Sequence, residues 1–273
     1  MNNLIKYSLA GVIIFSSLAA VSSRFVDIKE TQNLKFLFNS KYGKLNVQDY
    51  ETISINKMYS FPSANKLYIK SISGNIKIYS AKGSDFEIKL QTEALKSKKI
   101  TPESIVKAVD NQVIIDLAGD DKNQEGSRLF RFNWNESNLS VTEAVEISIG
   151  IPDTIQFINL ESISSDTSLE NINLNELNSD SVSGNVTLKN SNQVSIKLNS
   201  ISGDAYLEKA SFNKLTANSV SGDLSIRLAT DQKYKMNLTT VSGDQIGIEK
   251  FRSENAEHRI NIDTISGDLK MSL

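Results

Sequence analysis

A five-residue pattern, Ser/Thr-aliphatic-Ser-Gly-Asp/Asn, recurs through the C-terminal half of the chain and restricts it to folds built from repeated units. The glycine slot falls at positions 165, 184, 203, 222, 243 and 267, so the spacings are 19, 19, 19, 21 and 24 residues. A repeat of this length predicts one supersecondary unit per period, stacked on its neighbours. Full copies begin at Ser181, Ser200, Ser219, Thr240 and Thr264, a degenerate copy begins at Ser162, and a distant copy begins at Ser71.

Between the glycines, apolar and polar residues alternate, which indicates strands with one buried face rather than helices. If the aliphatic residue of the motif faces the core, the parity slips at Ile201, three residues after Leu198, and equivalent slips in the later periods predict a recurring corner or bulge. Each period then holds two short strands that cannot pair within the period. The sequence therefore predicts an all-β fold, a single-stranded parallel β-solenoid with rungs of about 19 residues and two short strands per rung.

The motif residues are of types that stabilise turns. Glycine reaches positive φ and admits close approach of a neighbouring backbone, while the following Asp or Asn accepts a backbone hydrogen bond. The Ser and Thr hydroxyls are expected to form a ladder along the stack. The predicted turn glycines are Gly74, Gly184, Gly203, Gly222, Gly243 and Gly267.

The chain divides by its patterning into three parts. Residues 1–23 have the features of a secretory signal: Lys6 precedes an uncharged, mostly apolar stretch that is short for a bilayer span. An uncleaved anchor is the alternative. Residues 24–60 are expected to be a cap or linker region, and residues 61–273 the solenoid, with an irregular excursion at 119–140. This predicts an exported protein, periplasmic or on the cell surface, that touches membrane only through its N-terminal segment.

Three stretches carry a family resemblance: LYIKSISGNIKI from Leu67, IGIPD from Ile149, and the motif ladder from Ser181 to Leu269. With them the chain resembles bacterial exported adhesin-like β-strand repeat proteins of unknown function, which are related to toastrack and auto-transporter adhesin head domains. The resemblance implies a solenoid near the cell envelope and supplies no established catalytic residues. Ser165 departs from the glycine slot, which predicts a distorted turn there.

Composition argues against several chemistries. The chain has no cysteine and one histidine, His258, which leaves little for a thiolate site, a zinc site or a Ser-His-Asp arrangement. The formal net charge of −2 gives no overall basic footprint for nucleic acid. No cofactor and no metal are expected, and the chain is expected not to be an enzyme. A polysaccharide-active enzyme remains an alternative, although the carboxylates follow the repeat where a catalytic site would break it.

The acidic slot of the motif is the most tempting candidate site, because stacking brings successive side chains together. The column could bind a ligand or Ca²⁺, which takes several oxygen ligands, or could cap turns. Asparagine replaces aspartate at Asn75 and Asn185, which keeps the hydrogen bond and drops the charge, so turn capping is favoured. The candidate ladder residues are Asp204, Asp223, Asp244 and Asp268.

Two further surfaces are candidates for partner contact. Trp134, Phe130 and Arg131 lie in the excursion, where they either contact a protein or glycan partner or fold back as core or cap. The last rung, with Leu269 and Met271, is expected to leave an open edge that a folded-back segment or self-association covers. The favoured function is an adhesin-like binding or scaffold protein of the envelope, and a membrane-tethered periplasmic accessory or signalling domain is the alternative.

Overall fold

The structure, a computed structural model, describes residues 50–95, 101–117 and 145–273. These residues form sixteen strands and one short α-helix, α1 (Pro102–Ile105). The strands are β1 (Tyr50–Tyr59), β2 (Lys66–Ser80), β3 (Phe86–Leu95), β4 (Val106–Val109), β5 (Gln112–Asp116), β6 (Val145–Ile151), β7 (Phe157–Glu170), β8 (Asn173–Ser183), β9 (Val186–Lys189), β10 (Asn192–Ser202), β11 (Ala205–Ser221), β12 (Leu224–Leu228), β13 (Tyr234–Ser242), β14 (Gln245–Ile246), β15 (His258–Ser266) and β16 (Leu269–Ser272). The all-β class predicted from the sequence is confirmed.

The strands fall into two layers because the chain turns a corner at each motif glycine. Layer A holds the segments before the glycines, in the spatial order β4, β5, β2, β7, β8, β10, β11, β15, β13. Layer B holds the segments after them, in the order β1, β3, β6, β2, β7, β9, β11, β12, β16, β14. Pairing is parallel except at β4–β5, β1–β3 and β3–β6, which lie at one end.

Stacking keeps the repeat in register, so equivalent residues form columns. In layer A, Ser200 of β10 pairs with Ser181 on one side and Ser219 on the other. The inward columns are aliphatic and meet in one hydrophobic core, where each buried side chain contributes about 1.5–3 kcal/mol. One such column in layer A comprises Leu67, Ile158, Leu177, Ile196, Leu215, Ile260 and Met236.

Within the motif, the serine faces the core and the aliphatic residue does not, which is the reverse of the sequence-based expectation. The first serine of the motif points inward, as at Ser71 and Ser181, which are 1% and 6% exposed, whereas the aliphatic residue after it is only half-buried at Val182 and Ile201. The change of parity therefore falls at the glycine corner, and the slip predicted at Ile201 is wrong. Hydroxyl bonds do form on the inner side, since the Ser162 Oγ donates to the Ser181 Oγ at 3.2 Å.

The second corner of each full rung uses a different device. Asn171, Asn190 and Lys209 adopt positive φ angles of 57°, 48° and 51°, again 19 residues apart. Asparagine tolerates this left-handed conformation better than other residues with a side chain. The pairing register shifts between Glu208 and Ala210, so the second corner is also a bulge.

The order of the rungs in space differs from their order in the chain, so a simple solenoid is not what forms. The Gly243 rung (β13 and β14) takes the outermost place, and the Gly267 rung (β15 and β16) returns to lie between it and the Gly222 rung. In addition, β7, β8, β10, β11 and β9 pair as a closed five-strand ring, because β7 and β11 continue round corners into both layers. The remaining strands extend this ring at both ends.

The C-terminal rung is therefore not an open edge, which corrects the sequence-based placement. Leu269 and Met271 are 5% and 3% exposed, and β13 and β14 cover their rung from outside. The outer rung is covered in turn at its start, where Phe251 is buried and Arg252 bridges to Tyr234. The cover is the preceding rung of the same chain, because the last rung inserts between β11 and β12 on one side and β13 and β14 on the other.

The opposite end is closed by antiparallel strands. β2 pairs with β7 on one side and with β5 and β6 on the other. β1 pairs with β3 along its length, so part of the region expected as a cap or linker, 24–60, is the outermost strand of layer B. The predicted signal at 1–23 and the excursion at 119–140 lie outside the described residues.

Candidate binding face

The outer surface of layer A presents polar side chains in straight columns. Asn178 donates from Nδ2 to Asn159 Oδ1 at 3.0 Å, and Asn218 donates likewise to Asn199 Oδ1 at 2.7 Å. These bonds fix side chains that on most surfaces would be free to rotate. The layer A face is consequently an ordered array of amides, hydroxyls and charges, in which successive residues of a column lie about 4.8 Å apart, the distance between neighbouring strands.

The Asp/Asn column lies at the glycine corner and is made of side-chain to backbone hydrogen bonds. Asp223 N–H donates to Asp204 Oδ1 at 2.9 Å, Asp268 N–H to Asp223 Oδ1 at 2.8 Å, and Asp244 N–H to Asp268 Oδ1 at 2.8 Å. Asn185 continues the ladder with its side-chain amide oxygen, Oδ1, which accepts from the Asp204 N–H at 2.9 Å. This is the geometry that turn capping requires, and it explains why Asn and Asp interchange in the slot.

The other carboxylate oxygen of the column stays on the outside. At Asp204 it accepts from the Tyr206 hydroxyl at 2.9 Å, and this hydrogen bond raises the pKa of the Tyr206 phenol. Within residues 50–95, 101–117 and 145–273, no group of three or more His, Cys, Asp or Glu side chains could hold a metal ion. The ladder thus has a structural role in the described fold, and ligand or Ca²⁺ binding by it stays a prediction.

The motif glycines are required by close backbone contact. A Cβ built on Gly203 would collide with the carbonyl oxygen of Gly184, and one on Gly222 with that of Gly203. The φ angles at the corner lie between 120° at Gly74 and 157° at Gly222. At Ser165 the backbone is not in this region, β7 runs through without a break, and its Oγ donates to Ser71 Oγ at 3.0 Å. The turn at the serine slot is indeed different from the others.

The remaining predicted site residues do not add to this surface. Trp134, Phe130 and Arg131 lie outside the described residues. His258 is half-buried, with its ring centroid 6.0 Å from that of Tyr234. No helix in the described part of the chain is long and apolar enough to cross a membrane.

Layer B differs from layer A in how its outward charges are arranged. Glu170, Lys189, Glu208 and Arg227 occupy one column on successive strands, so that each charge has the opposite sign beside it. The Lys189 and Glu208 side chains approach to 4.0 Å. Exposed pairs of this kind add little stability individually, yet the alternation removes like-charge repulsion along the column.

Sequence-based reasoning missed a column of three basic side chains on layer A, Lys214, Arg259 and Lys235, which are paired in register on β11, β15 and β13. The residues are visible in the sequence at equivalent places in their periods. Their adjacency was hidden because Arg259 comes later in the chain than Lys235 but lies between it and Lys214.

The fold and surface define a class: all-β proteins whose stacked repeats of about 19 residues present ordered outer faces. The chain belongs to the toastrack family DUF4097, whose model matches residues 27–273. The resemblance stated from the motif residues is thereby confirmed.

Solved structures of similar fold were also found. The chain is similar to a candidate cell adhesion protein from Clostridium sporogenes (15% identity, 81% of this chain and 99% of that chain covered, TM-score 0.46). It is similar to candidate adhesins from Bacteroides fragilis (13%, 82% and 97%, TM-score 0.42) and Parabacteroides distasonis (10%, 82% and 97%, TM-score 0.38). No curated protein matches the chain.

Proposed function

We propose that this chain is an exported, non-catalytic binding module of the cell envelope, adhesin-like in character, that holds a protein or glycan partner on the outer face of layer A. The observation that carries this proposal is the array of outward columns fixed by hydrogen bonds, such as Asn178 to Asn159 and Asn237 to Asn261. A surface whose side chains are already ordered loses less conformational entropy when a partner binds.

A catalytic role has less support from the same surface. General acid–base chemistry needs a carboxyl pair placed around a substrate, and glycoside hydrolysis in particular needs two. Here Asp204, Asp223 and Asp268 are each committed through Oδ1 to the backbone of the next rung. An open depression on layer A contributes one carboxylate, Glu176, beside Phe157 and Lys66.

Export is tested by protease treatment of intact cells, followed by immunodetection of fragments. Cleavage in intact cells supports display outside the cell, and protection until the envelope is opened supports the periplasmic alternative. Recovery of the full chain from the cytoplasm with residues 1–23 still attached would contradict export.

Binding through layer A is tested by blocking one face at a time. Because the chain has no cysteine, a single introduced thiol can carry a maleimide polyethylene glycol at a unique place. Lys197→Cys places the polymer on layer A, and Lys270→Cys places it on layer B as the matched control. Both lysines are exposed, and each replacement removes one positive charge.

The block on layer A should abolish retention of the protein by isolated envelope fractions, whereas the block on layer B should leave retention unchanged. Equal retention of the two conjugates would show that layer A is not the binding face. Protein without polymer that is not retained at all would contradict a role in envelope binding.

Self-association is proposed at the outer rung rather than at the C-terminal rung. Val241 is 80% exposed, Ile246 46% and Leu273 51%, all at this end of the stack. Lys235 is the one charged residue of β13, and edge strands that avoid pairing usually carry more charge. An antiparallel twofold pair of β13 strands centred on Leu238 would set inward residues against inward residues and bring no like charges opposite.

The partner we expect at this edge is a second copy of the chain, and light scattering over a range of concentrations tests it. Val241→Lys should convert the dimer to monomer. Val194→Lys, at a position 50% exposed on β10 and away from the edge, should not. A wild-type protein that stays monomeric at every concentration would rule out this contact.

A further inference from the structure

The basic column on layer A, Lys214, Arg259 and Lys235, is called the basic ladder below. The three side chains are exposed and sit directly beside one another on three neighbouring parallel strands. Strands in a sheet lie about 4.8 Å apart, so the three positive charges are held near that spacing. Like charges directly opposite on neighbouring strands destabilise a sheet.

Acidic side chains of the described residues neutralise little of the positive charge of the basic ladder. Lys235 lies 3.7 Å from Glu254, a side chain that is 75% exposed, and such a pair contributes little. Within the described residues, no ion pair involves Lys214 or Arg259. Layer B shows that this chain alternates charge signs in a column elsewhere, as at Lys189 and Glu208. The like-charge column is therefore a cost. The acidic column at the glycine corner also sets like charges side by side, but there Asp204, Asp223 and Asp268 each accept a backbone N–H of the next rung.

Next to the basic ladder stands a column of uncharged hydrogen-bonding side chains. Thr216, Asn261 and Asn237 follow the three cations by two residues on the same strands, and Asn237 donates to Asn261 at 2.9 Å. Cations bind carboxylate or phosphate groups, and arginine does so in a bidentate manner. Amides and hydroxyls are suited to sugar hydroxyl groups.

We propose that the basic ladder binds a linear anionic polysaccharide, with its acidic groups on the cations and its hydroxyls on the neighbouring amide column. The inference rests on the proposed binding role of layer A and names the class of ligand. The strand spacing is close to the length of one sugar unit, so successive acidic sugars can meet successive strands.

Two other anionic partners fit the surface less well. Bases of a single-stranded nucleic acid need aromatic platforms, and the outward residues of β11, β15 and β13 around the ladder contain none. These residues are Lys214, Thr216, Asn218, Arg259, Asn261, Asp263, Lys235, Asn237 and Thr239. A membrane surface would favour exposed apolar side chains next to the cations, and this set has none of those either.

The test uses labelled polygalacturonate as the probe, with dextran as the neutral polymer, single-stranded DNA and phosphatidylserine vesicles as the competing classes. A triple variant, Lys214→Gln with Arg259→Gln and Lys235→Gln, is compared with wild type by fluorescence anisotropy over a salt series. The control triple, Lys89→Gln with Lys107→Gln and Lys270→Gln, removes the same charge from exposed positions elsewhere.

Wild type and the control triple should bind polygalacturonate and not dextran, with affinity that falls as salt rises. The ladder triple should lose at least tenfold in affinity and show a shallower salt dependence. Its melting temperature should be equal to or above that of wild type, because removing the cations relieves repulsion.

Equal affinity of both triples, absence of polygalacturonate binding by wild type, or stronger binding of DNA or vesicles would each overturn the proposal. The proposed function is judged separately by the envelope retention assay. If envelope fractions still retain the triple variant of the basic ladder, and polymer attached to layer A still abolishes that retention, the binding role of layer A stands but its ligand is not an anionic polysaccharide.

Discussion

Replacing Gly184 by alanine should destabilise the fold by more than the volume of one added methyl group would suggest. The residue has φ of 126°, and a Cβ there would meet the carbonyl oxygen, carbon and nitrogen of Ser165. The Ser165 backbone cannot easily retreat. Two bonds clamp the rungs together beside it, Asn185 N–H to Asp166 Oδ1 at 2.8 Å and Thr167 N–H to the Asn185 carbonyl at 2.8 Å.

The size of the effect follows from two contributions. Holding alanine in this region of φ costs about 1–3 kcal/mol, and forcing a methyl into a packed contact costs about another 1–3 kcal/mol. We expect a loss of about 4 kcal/mol from a total unfolding free energy of order 5–15 kcal/mol. For a chain of this size the melting temperature should fall by roughly 8–16 °C.

Urea unfolding followed by circular dichroism measures the change, and Gly83→Ala provides the matched control. A Cβ at Gly83 meets nothing within 4 Å, so this variant should stay within about 0.5 kcal/mol of wild type. If Gly184→Ala also stayed within 1 kcal/mol, the close approach of stacked backbones would not be what requires glycine at the corner.

Three further changes should stabilise the protein, each measurable by the same unfolding assay. Lys209→Asn should gain about 0.5–1 kcal/mol, since Lys209 has φ of 51° in the column where Asn171 and Asn190 stand; no gain would mean that the corner is unstrained. Gln193→Leu should gain about 1 kcal/mol, because the buried Gln193 Oε1 has no hydrogen-bond partner. The Ile172 carbonyl, which accepts from Gln193 Nε2, keeps the Asn192 N–H as a donor, and a loss of stability would show that the amide is needed. Tyr234→Phe should gain about 1 kcal/mol near neutral pH for the same reason, as the Tyr234 hydroxyl is buried without a partner. Burial also raises the pKa of the Tyr234 phenol far above its usual range, so the unfolded chain releases this proton at a lower pH than the folded chain does. Wild-type stability should therefore fall by about 1.4 kcal/mol per pH unit above pH 10, the usual pKa of a tyrosine. Tyr234→Phe should lack that contribution, and identical stability profiles of the two proteins at alkaline pH would refute it.

Much of the local structure could be read from the sequence because it depends on short-range geometry. Alternation between Ile196 and Leu198 predicts a strand, and a glycine every 19 residues predicts a corner. The sequence-based prediction was wrong at the motif, where a serine and an aliphatic residue are adjacent and only one of them can face the core. The aliphatic residue of the motif was expected in the core, yet Ser181 points inward and Val182 outward, because hydroxyls can bond to the backbone and to each other across rungs.

The candidate site was foreseen only where it follows the period. The Asp and Asn side chains of the slot form a column whose hydrogen bonds are those of a turn cap, and ligand binding by this column stays a prediction. The basic ladder was not foreseen, because Lys214 and Arg259 are 45 residues apart, and no feature near either of them indicates that they are neighbours. Residues of the irregular excursion, such as Trp134, follow no period, so their role stays a prediction.

The sequence pattern is sufficient to define the repeat unit: its length, its two strands and its glycine corner. Only the tertiary structure decided the order of the units, with the Gly267 rung placed between those of Gly222 and Gly243. The physical reason is that rungs with the same motif present nearly the same hydrogen-bonding edge, so local sequence does not distinguish one neighbour from another. In the arrangement that forms, Ile248 and Phe251, from the segment between the Gly243 and Gly267 rungs, are buried in the core.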